Sequence, residues 1–264
     1  MNDFDRLASI YDLDMGTKED DIPMYLRYAE ELGAPVLELG SGTGRVLLRL
    51  ANQGFDVWGL DNSVGMMTIA RQRVAQLQDQ LSGNVRLIEE DMRTEILDEP
   101  EFNLIFIAYN TFLHLTTRDD QLNTLRNIYH MLSDKGRVII DIFTPRHRDL
   151  SQYDYHRREL PIYRGVYHDD ISGYTYVRND RVQLDLVNQL QVVEFIYDKI
   201  GQDGEIERES HLVQSRYIFR PEMELLLELA GFEIVELCGG YEANTEYDYH
   251  NSEVMVFVAQ KKIG

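Results

Sequence analysis

Three groups in the first half of the chain have the types and spacing to handle a small ligand: glycines at 40, 42 and 44, the carboxylate of Asp61 and the imidazole of His114. In Val36-Leu-Glu-Leu-Gly-Ser-Gly-Thr-Gly-Arg45 an apolar run enters alternating glycines and then an amphipathic segment, which reads as a cofactor-binding strand, loop and helix. Glycine lets a backbone turn tightly, adopt positive φ and approach a ligand where a Cβ would obstruct it. The spacing is GxGxG, whereas a phosphate-gripping dinucleotide fingerprint wants its third glycine where this chain has Arg45. Asp61 ends the next apolar run, and a carboxylate there can accept the protons of two ribose hydroxyls. Histidine titrates near neutrality, so His114 is the candidate general base or substrate-orienting group, against the alternative of a structural hydrogen bond.

Regular elements must position these groups. Apolar runs at 36–40, 56–60, 85–89, 102–107 and 137–143, bounded by polar residues or glycine, predict parallel strands buried on both faces. Helical spacing lies between them in Val46, Leu47, Leu50 and Ala51, in Met66, Ala70, Val74, Leu77 and Leu81, and in Leu122, Leu125, Tyr129 and Leu132. Ser63 and Thr117 stand at N-cap positions, Thr117 with Asp120 three residues on, and Gly136 follows the third helix. This alternation predicts an α/β fold with a doubly wound, mostly parallel sheet. The rhythm stops after Phe143, where 174–177, 190–197 and 211–219 are rich in β-branched and aromatic residues and Gly201-Gln-Asp-Gly204 reads as a hairpin turn. An antiparallel β insertion over roughly 147–219 is therefore expected, set into a main domain of 1–146 and 220–264. Pro221 opens a helix over 222–230, Gly231 stops it, and strands at 232–237 and 254–259 complete the sheet. In such sheets ligands collect beyond the carboxyl ends of the strands near the switch point, where the glycine loop, Asp61 and His114 would meet.

Composition narrows the partners. The net charge of −20 repels phosphates and anionic lipid, and seven arginines between Arg146 and Arg181 are offset by six acids, so neither nucleic acid nor membrane is expected. The single cysteine, Cys238, excludes an internal disulfide and reads as a small buried residue. No apolar run is long enough to span a bilayer and the amino terminus lacks a secretory pattern, so the expected location is the cytoplasm. His147, His156 and His168 lack metal-site spacing, and no metal is expected. The expected partner is a small-molecule acceptor, while a homodimer stays open.

Glu38-Leu-Gly-Ser-Gly-Thr-Gly44, Asp61, Glu90-Asp91-Met92 and Asn110-Thr-Phe-Leu-His114, in this order and spacing, resemble class I S-adenosylmethionine-dependent methyltransferases over most of the chain. The insertion resembles that of small-molecule N-methyltransferases acting on glycine-type amines or amino sugars. The resemblance implies a Rossmann-like sheet of seven strands with the last antiparallel, S-adenosylmethionine as cofactor, and transfer of its methyl group to a small acceptor, an amine above all. Gly40, Ser41, Gly42 and Gly44 would face the methionyl group, with Arg45 adding a bond to its carboxylate and Glu38 holding its amino group directly or through water. Asp61 would take the ribose, Asn62 and Met66 would border the adenine, and Asp91 with the Met92 backbone would serve its polar edge. Tyr109 and Asn110 would lie by the sulfonium, and Tyr11 matches a lid position over the cofactor. On the acceptor side the candidates are Arg216 or Tyr217, which alternate faces of a strand, and Tyr241, which with Tyr247 and Tyr249 can cradle a cation. A nicotinamide oxidoreductase and a non-catalytic binding module remain the alternatives at this stage.

Overall fold

The computed structural model describes residues 3–15, 18–94, 96–97, 101–150 and 160–262. Two helices, Asp3–Met15 (α1) and Ile22–Leu32 (α2), precede the first strand. The alternating part then runs Val36–Leu39 (β1), Arg45–Asn52 (α3), Val57–Leu60 (β2), Val64–Leu77 (α4), Val85–Ile88 (β3), Phe102–Ile107 (β4), a 3-10 turn at Thr111–His114, Arg118–Met131 (α5) and Leu132–Phe143 (β5). After His147–Leu150 (α6) come four strands, Ile162–His168 (β6), Thr175–Asp185 (β7), Leu190–Ile200 (β8) and Ile206–Arg216 (β9). Arg220–Leu229 (α7), Phe232–Cys238 (β10) and Val254–Lys261 (β11) close the chain.

The main sheet has seven strands in the order β10-β11-β5-β4-β1-β2-β3, with β11 antiparallel to both neighbours. Its order reverses between β1 and β4, which places the crevice of a doubly wound sheet at their carboxyl ends. All four residues of β1 are buried, as a strand covered on both faces requires. Leu37, Leu39, Ile105 and Ile107 pack toward α5 and α7, while Val36, Leu104 and Phe106 pack toward α2 and α3. The helix starts follow from their caps: Ser63 Oγ accepts from Met66 N at 3.2 Å, and Thr117 Oγ1 from Asp120 N at 3.1 Å. Gly136 does not stop α5; it lies inside β5, where a Cβ would sit 2.9 Å from the Phe102 carbonyl oxygen. Cys238 is only half-buried, at the end of a sheet-edge strand.

The inserted strands form a separate antiparallel sheet in the order β6-β7-β8-β9, with the hairpin between β8 and β9 at the expected glycines. Helix α1 lies between this sheet and the main one. Its Leu7 and Ile10 pack with Tyr176, Tyr197 and Val213. No described helix is long and apolar enough to cross a membrane. Because Leu7 is fully buried at the contact between α1 and the inserted sheet, Leu7→Ala is expected to cost about 2–5 kcal/mol of stability. Urea unfolding monitored by circular dichroism reads that loss, and an unchanged midpoint would show that α1 does not hold the two sheets together.

Candidate functional site

A cleft of about 420 Å³ opens at the carboxyl ends of β1, β2 and β4. It is lined by Tyr11, Gly40, Gly42, Asp61, Asn62, Met66, Asp91, Met92 and Tyr109, which the sequence places on five different segments. The glycines turn where side chains cannot. Gly40 has φ +71 with Thr111 Cγ2 2.2 Å from where a Cβ would be, and at Gly42, φ +55, a Cβ would project into open space. The Gly42 amide donates to Asp61 Oδ2 and the Ser63 amide to Asp61 Oδ1, both at 2.8 Å. One carboxylate is thus fixed with a further lone pair on each oxygen, an arrangement suited to vicinal hydroxyls. The same bond takes the loop amide that a pyrophosphate would need and sets a negative charge beside it. Burial raises the pKa of Asp61, opposed by those two amides.

On the far side of the cleft, Asp91 is clamped by Arg93, whose Nε lies 3.0 Å from each carboxylate oxygen. The bonded guanidinium holds Asp91 below the usual carboxylate range. Arg93, which no sequence motif singled out, also lines the cleft. Beneath the glycine loop Glu38 is fully buried, and its Oε2 has no hydrogen-bond partner among the described residues.

Strand β4 ends in two successive left-handed residues, Tyr109 at φ 53 and Asn110 at φ 64. Such a conformation is uncommon outside glycine and marks a backbone held by its surroundings. Here Asp141 Oδ1 accepts from the Tyr109 amide at 2.9 Å, and Asn110 Oδ1 accepts from the Phe143 amide at 2.6 Å. The turn delivers His114 to the cleft wall. Its Nδ1 lies 3.1 Å from the Gln214 carbonyl oxygen. A carbonyl only accepts, so Nδ1 carries the hydrogen and Nε2 is the basic nitrogen of the neutral ring.

A second hollow, of about 260 Å³, lies between α1, the β4 turn and the inserted sheet. Phe4, Tyr11, Tyr109 and His114 border both spaces and form the wall where they meet. Asn110 faces this second hollow. Apolar side chains such as Leu7, Val182 and Phe195 surround it, together with Asp14, Arg164 and Asp180. Burial raises the pKa of the Tyr11 phenol, so that wall presents a neutral hydroxyl.

Other expected residues do not reach either space. The Arg45 guanidinium is bound to the buried Asp21 by both terminal nitrogens, at 2.7 and 2.6 Å, and to the Lys18 carbonyl. Its fork is filled by a partner on the unforeseen N-terminal segment, and it does not line the cleft although its Cζ lies 5.7 Å from the ring centroid of Tyr109, which does. Ser41 is buried, and Gly44 caps α3 in a left-handed conformation beside Leu48. Arg216 is paired with Glu222 at 2.5 Å and bonded to Gln121 and Gln189 beside α7, outside both cavities. Tyr217, one residue past β9, is buried against Val182, Leu184 and Val193 and does not itself line the hollow that Val182 and Val193 border. Tyr241 donates to Asp141 at 3.0 Å, and the cation over its ring is the chain's own Lys18, 4.6 Å from the centroid. Tyr247 and Tyr249 line a separate depression beside Pro145. His156 lies outside the described residues, among which no cluster of metal-ligating side chains occurs.

Residues 36–136 match the protein family described as Methyltransferase domain. The glycine/sarcosine N-methyltransferase of Aphanothece halophytica is 32% identical over 120 residues, which cover 44% of this chain and 43% of that protein. The chain therefore spans less than half the length of that relative. Among solved structures, the CcbJ methyltransferase from Streptomyces caelestis superposes with a TM-score of 0.75 at 24% identity, over 97% of this chain and 96% of that one. CalS10, an amino pentose methyltransferase from Micromonospora echinaspora, gives a TM-score of 0.68 at 19% identity, over 96% and 95%. At these identities the structural likenesses establish the fold.

Glu38 yields a test that needs no ligand. Burial lifts its carboxyl from 4.5 to about 8, so the folded protein keeps a proton that the unfolded chain has lost. Stability from this group is present at low pH and is lost as pH rises from about 4.5 through about 8, with a slope of at most about 1.4 kcal/mol per pH unit. Glu38→Gln is expected to gain stability on the wild type across that window. Denaturation midpoints between pH 5 and pH 8 read the difference, and a difference independent of pH would show that Glu38 does not titrate there.

Proposed function

For a chain that carries a class I S-adenosylmethionine-dependent methyltransferase domain, we propose methyl transfer to the nitrogen of a small amine seated beneath the inserted antiparallel sheet. The observation that supports this reading most strongly is the shared wall of Phe4, Tyr11, Tyr109 and His114 between a polar, carboxylate-bearing cleft and a smaller, largely apolar hollow. The cofactor is S-adenosylmethionine, which supplies an electrophilic methyl group on a sulfonium. The residues of the cleft fit it. Asp61 accepts the ribose hydroxyls, Asp91 with the Met92 backbone serves the adenine edge, and Asn62 and Met66 border the ring. Gly40 and Gly42 leave room for the methionyl portion, and Glu38 beneath them answers its amino group.

On the acceptor side the protein has three tasks. It must hold the nitrogen against the shared wall, keep water out, and remove a proton from an amine that arrives as an ammonium, since only the neutral amine has a lone pair to donate. The inserted sheet of β6 to β9 serves as the cover. His114 Nε2 receives the proton, while the bond from Nδ1 to Gln214 on β9 fixes the ring and ties the base to the cover.

Two substitutions separate the halves of this reading. Asp61→Ala is expected to weaken S-adenosylhomocysteine binding by more than about 1 kcal/mol, the scale of a hydrogen bond to a charged group. Calorimetric titration measures it, and unchanged affinity removes Asp61 from the ribose site. His114→Ala is expected to lower kcat by about 10² or more with cofactor affinity retained. Wild-type turnover in this variant would return His114 to a purely structural role.

A further inference from the structure

The face that α1 turns toward the hollow carries Phe4, Leu7, Tyr11 and Asp14, spaced three, four and three residues apart as one helical stripe. Three of these have a clear place in the packing or at the shared wall. Asp14 is the fourth, and its carboxylate is only 5% exposed. Both of its protein partners, Arg178 Nη1 and the Tyr197 hydroxyl at 2.9 Å, bind the same oxygen, Oδ2. Oδ1 has no hydrogen-bond partner among the described residues, and Asp14 lines the hollow. A carboxylate oxygen left without a protein donor at the wall of a hollow is open to a donor that a ligand brings in place of water.

The surrounding charges say which ligand group that is. Arg178 also grips Asp180 through Nε at 2.8 Å and Nη2 at 3.1 Å, and it rests over the Phe195 ring at 4.2 Å. Arg164 Nε bonds the same Asp180 at 2.8 Å. Among the described residues two guanidinium charges, Arg164 and Arg178, meet two carboxylates, Asp14 and Asp180, in this cluster, and Arg216 is paired with Glu222 elsewhere. A carboxylate on the acceptor would add a third negative charge next to Asp14. A hydroxyl or ammonium would instead complete its Oδ1.

We propose that Asp14 is a specificity-determining residue whose Oδ1 accepts a hydrogen bond from a second donor group of the acceptor. This inference rests on the amine-methylation reading above. Asp14 lies three residues beyond Tyr11, about 4.5 Å further along the helix axis from the wall where transfer occurs. The favoured acceptor is thus a small amine that also carries a hydroxyl or second ammonium group on a partly apolar skeleton, and not an amino acid presented through its carboxylate.

The test compares wild type and Asp14→Asn, with S-adenosylmethionine, on a panel of small amines. Each amine is paired with its hydroxylated and carboxylated analogues, for example cyclohexylamine, 4-aminocyclohexanol and 4-aminocyclohexanecarboxylate. The wild type is expected to favour the hydroxylated member. The substitution should raise KM for that member by about tenfold or more, with kcat and the KM for the plain amine moving less than about threefold. S-adenosylhomocysteine affinity should stay unchanged. If the asparagine variant does not fold, Asp14→Glu, which keeps the charge facing Arg178 and Tyr197 but displaces the free oxygen, should show the same selective rise. Preference for the carboxylated member, or a KM indifferent to position 14, overturns the assignment alone. Failure to methylate any amine while S-adenosylhomocysteine still binds overturns the amine reading and this inference with it.

Discussion

The junction between the two cavities depends on one buried carboxylate. Asp141, near the end of β5, accepts hydrogen bonds from the Tyr109 amide, the Tyr241 hydroxyl and the Tyr25 hydroxyl. Its own carbonyl accepts from the Asn110 amide at 3.1 Å. Burial raises its pKa, and the hydroxyl and amide donors work against that rise. Two adjacent left-handed residues without glycine cost roughly 1–3 kcal/mol each, so they persist only where neighbouring bonds over-determine them. Asp141 and Asn110 supply those bonds from both directions. Because the chain leaves β4 by this bend, the following 3-10 turn brings His114 back to the wall it shares with Tyr109.

Helix α1 makes the second wall, and it does so with aspartates. Asp5 accepts from Ser63 Oγ at 2.8 Å and from the Gly65 amide at 3.1 Å, placing a negative charge at the amino-terminal end of α4. The approach is so close that a Cβ on Gly65 would stand 2.7 Å from the Asp5 carbonyl oxygen. Asp12 then takes Thr43 Oγ1 at 2.7 Å and Arg73 Nη2 at 2.7 Å on the main domain. Asp14 reaches across to Arg178 and Tyr197 on the inserted sheet. One short helix thus joins the main domain and the inserted sheet through charged bonds, of which the buried pair of Asp14 and Arg178 is screened by salt less than the partly exposed pair of Asp12 and Arg73. Part of the strongly negative composition is structural in this sense.

Much of the lining of the larger cleft was legible because it hangs on strand ends. An apolar run bounded by punctuation locates the end of a parallel strand, and in a doubly wound sheet the residue just beyond that end faces the crevice. Asp61, Asp91 and the glycines follow from this rule. Arg45 follows it in position, but its guanidinium is already taken by Asp21, at the start of a helix that the strand-helix rhythm does not reveal. Arg216 and Tyr217 illustrate a different limit: strand alternation states that neighbours face opposite ways, yet both sides of the end of β9 are covered, one by α7 and the other by aliphatic packing. Two signals were present and unused. A lone aspartate inside the apolar run 138–143 marks Asp141, and the stripe of residues 4, 7, 11 and 14 marks the inner face of α1.

The contrast has a consequence for how specificity is built. The larger cleft is shaped largely by backbone: glycine conformations, amides donated to Asp61, and a strained exit from β4. These features are coupled to the hydrogen-bonded register of the main sheet and change only together. The smaller hollow is shaped by side chains that project from a helix and from β7, β8 and β9, whose backbone ladder is indifferent to what each inward position carries. Its size and charge can be altered residue by residue while Tyr109 and His114 stay where the main sheet puts them. The fold is therefore held in common with the structural relatives, whereas the lining of the hollow is set by a few side chains on α1 and the inserted sheet, Asp14 among them.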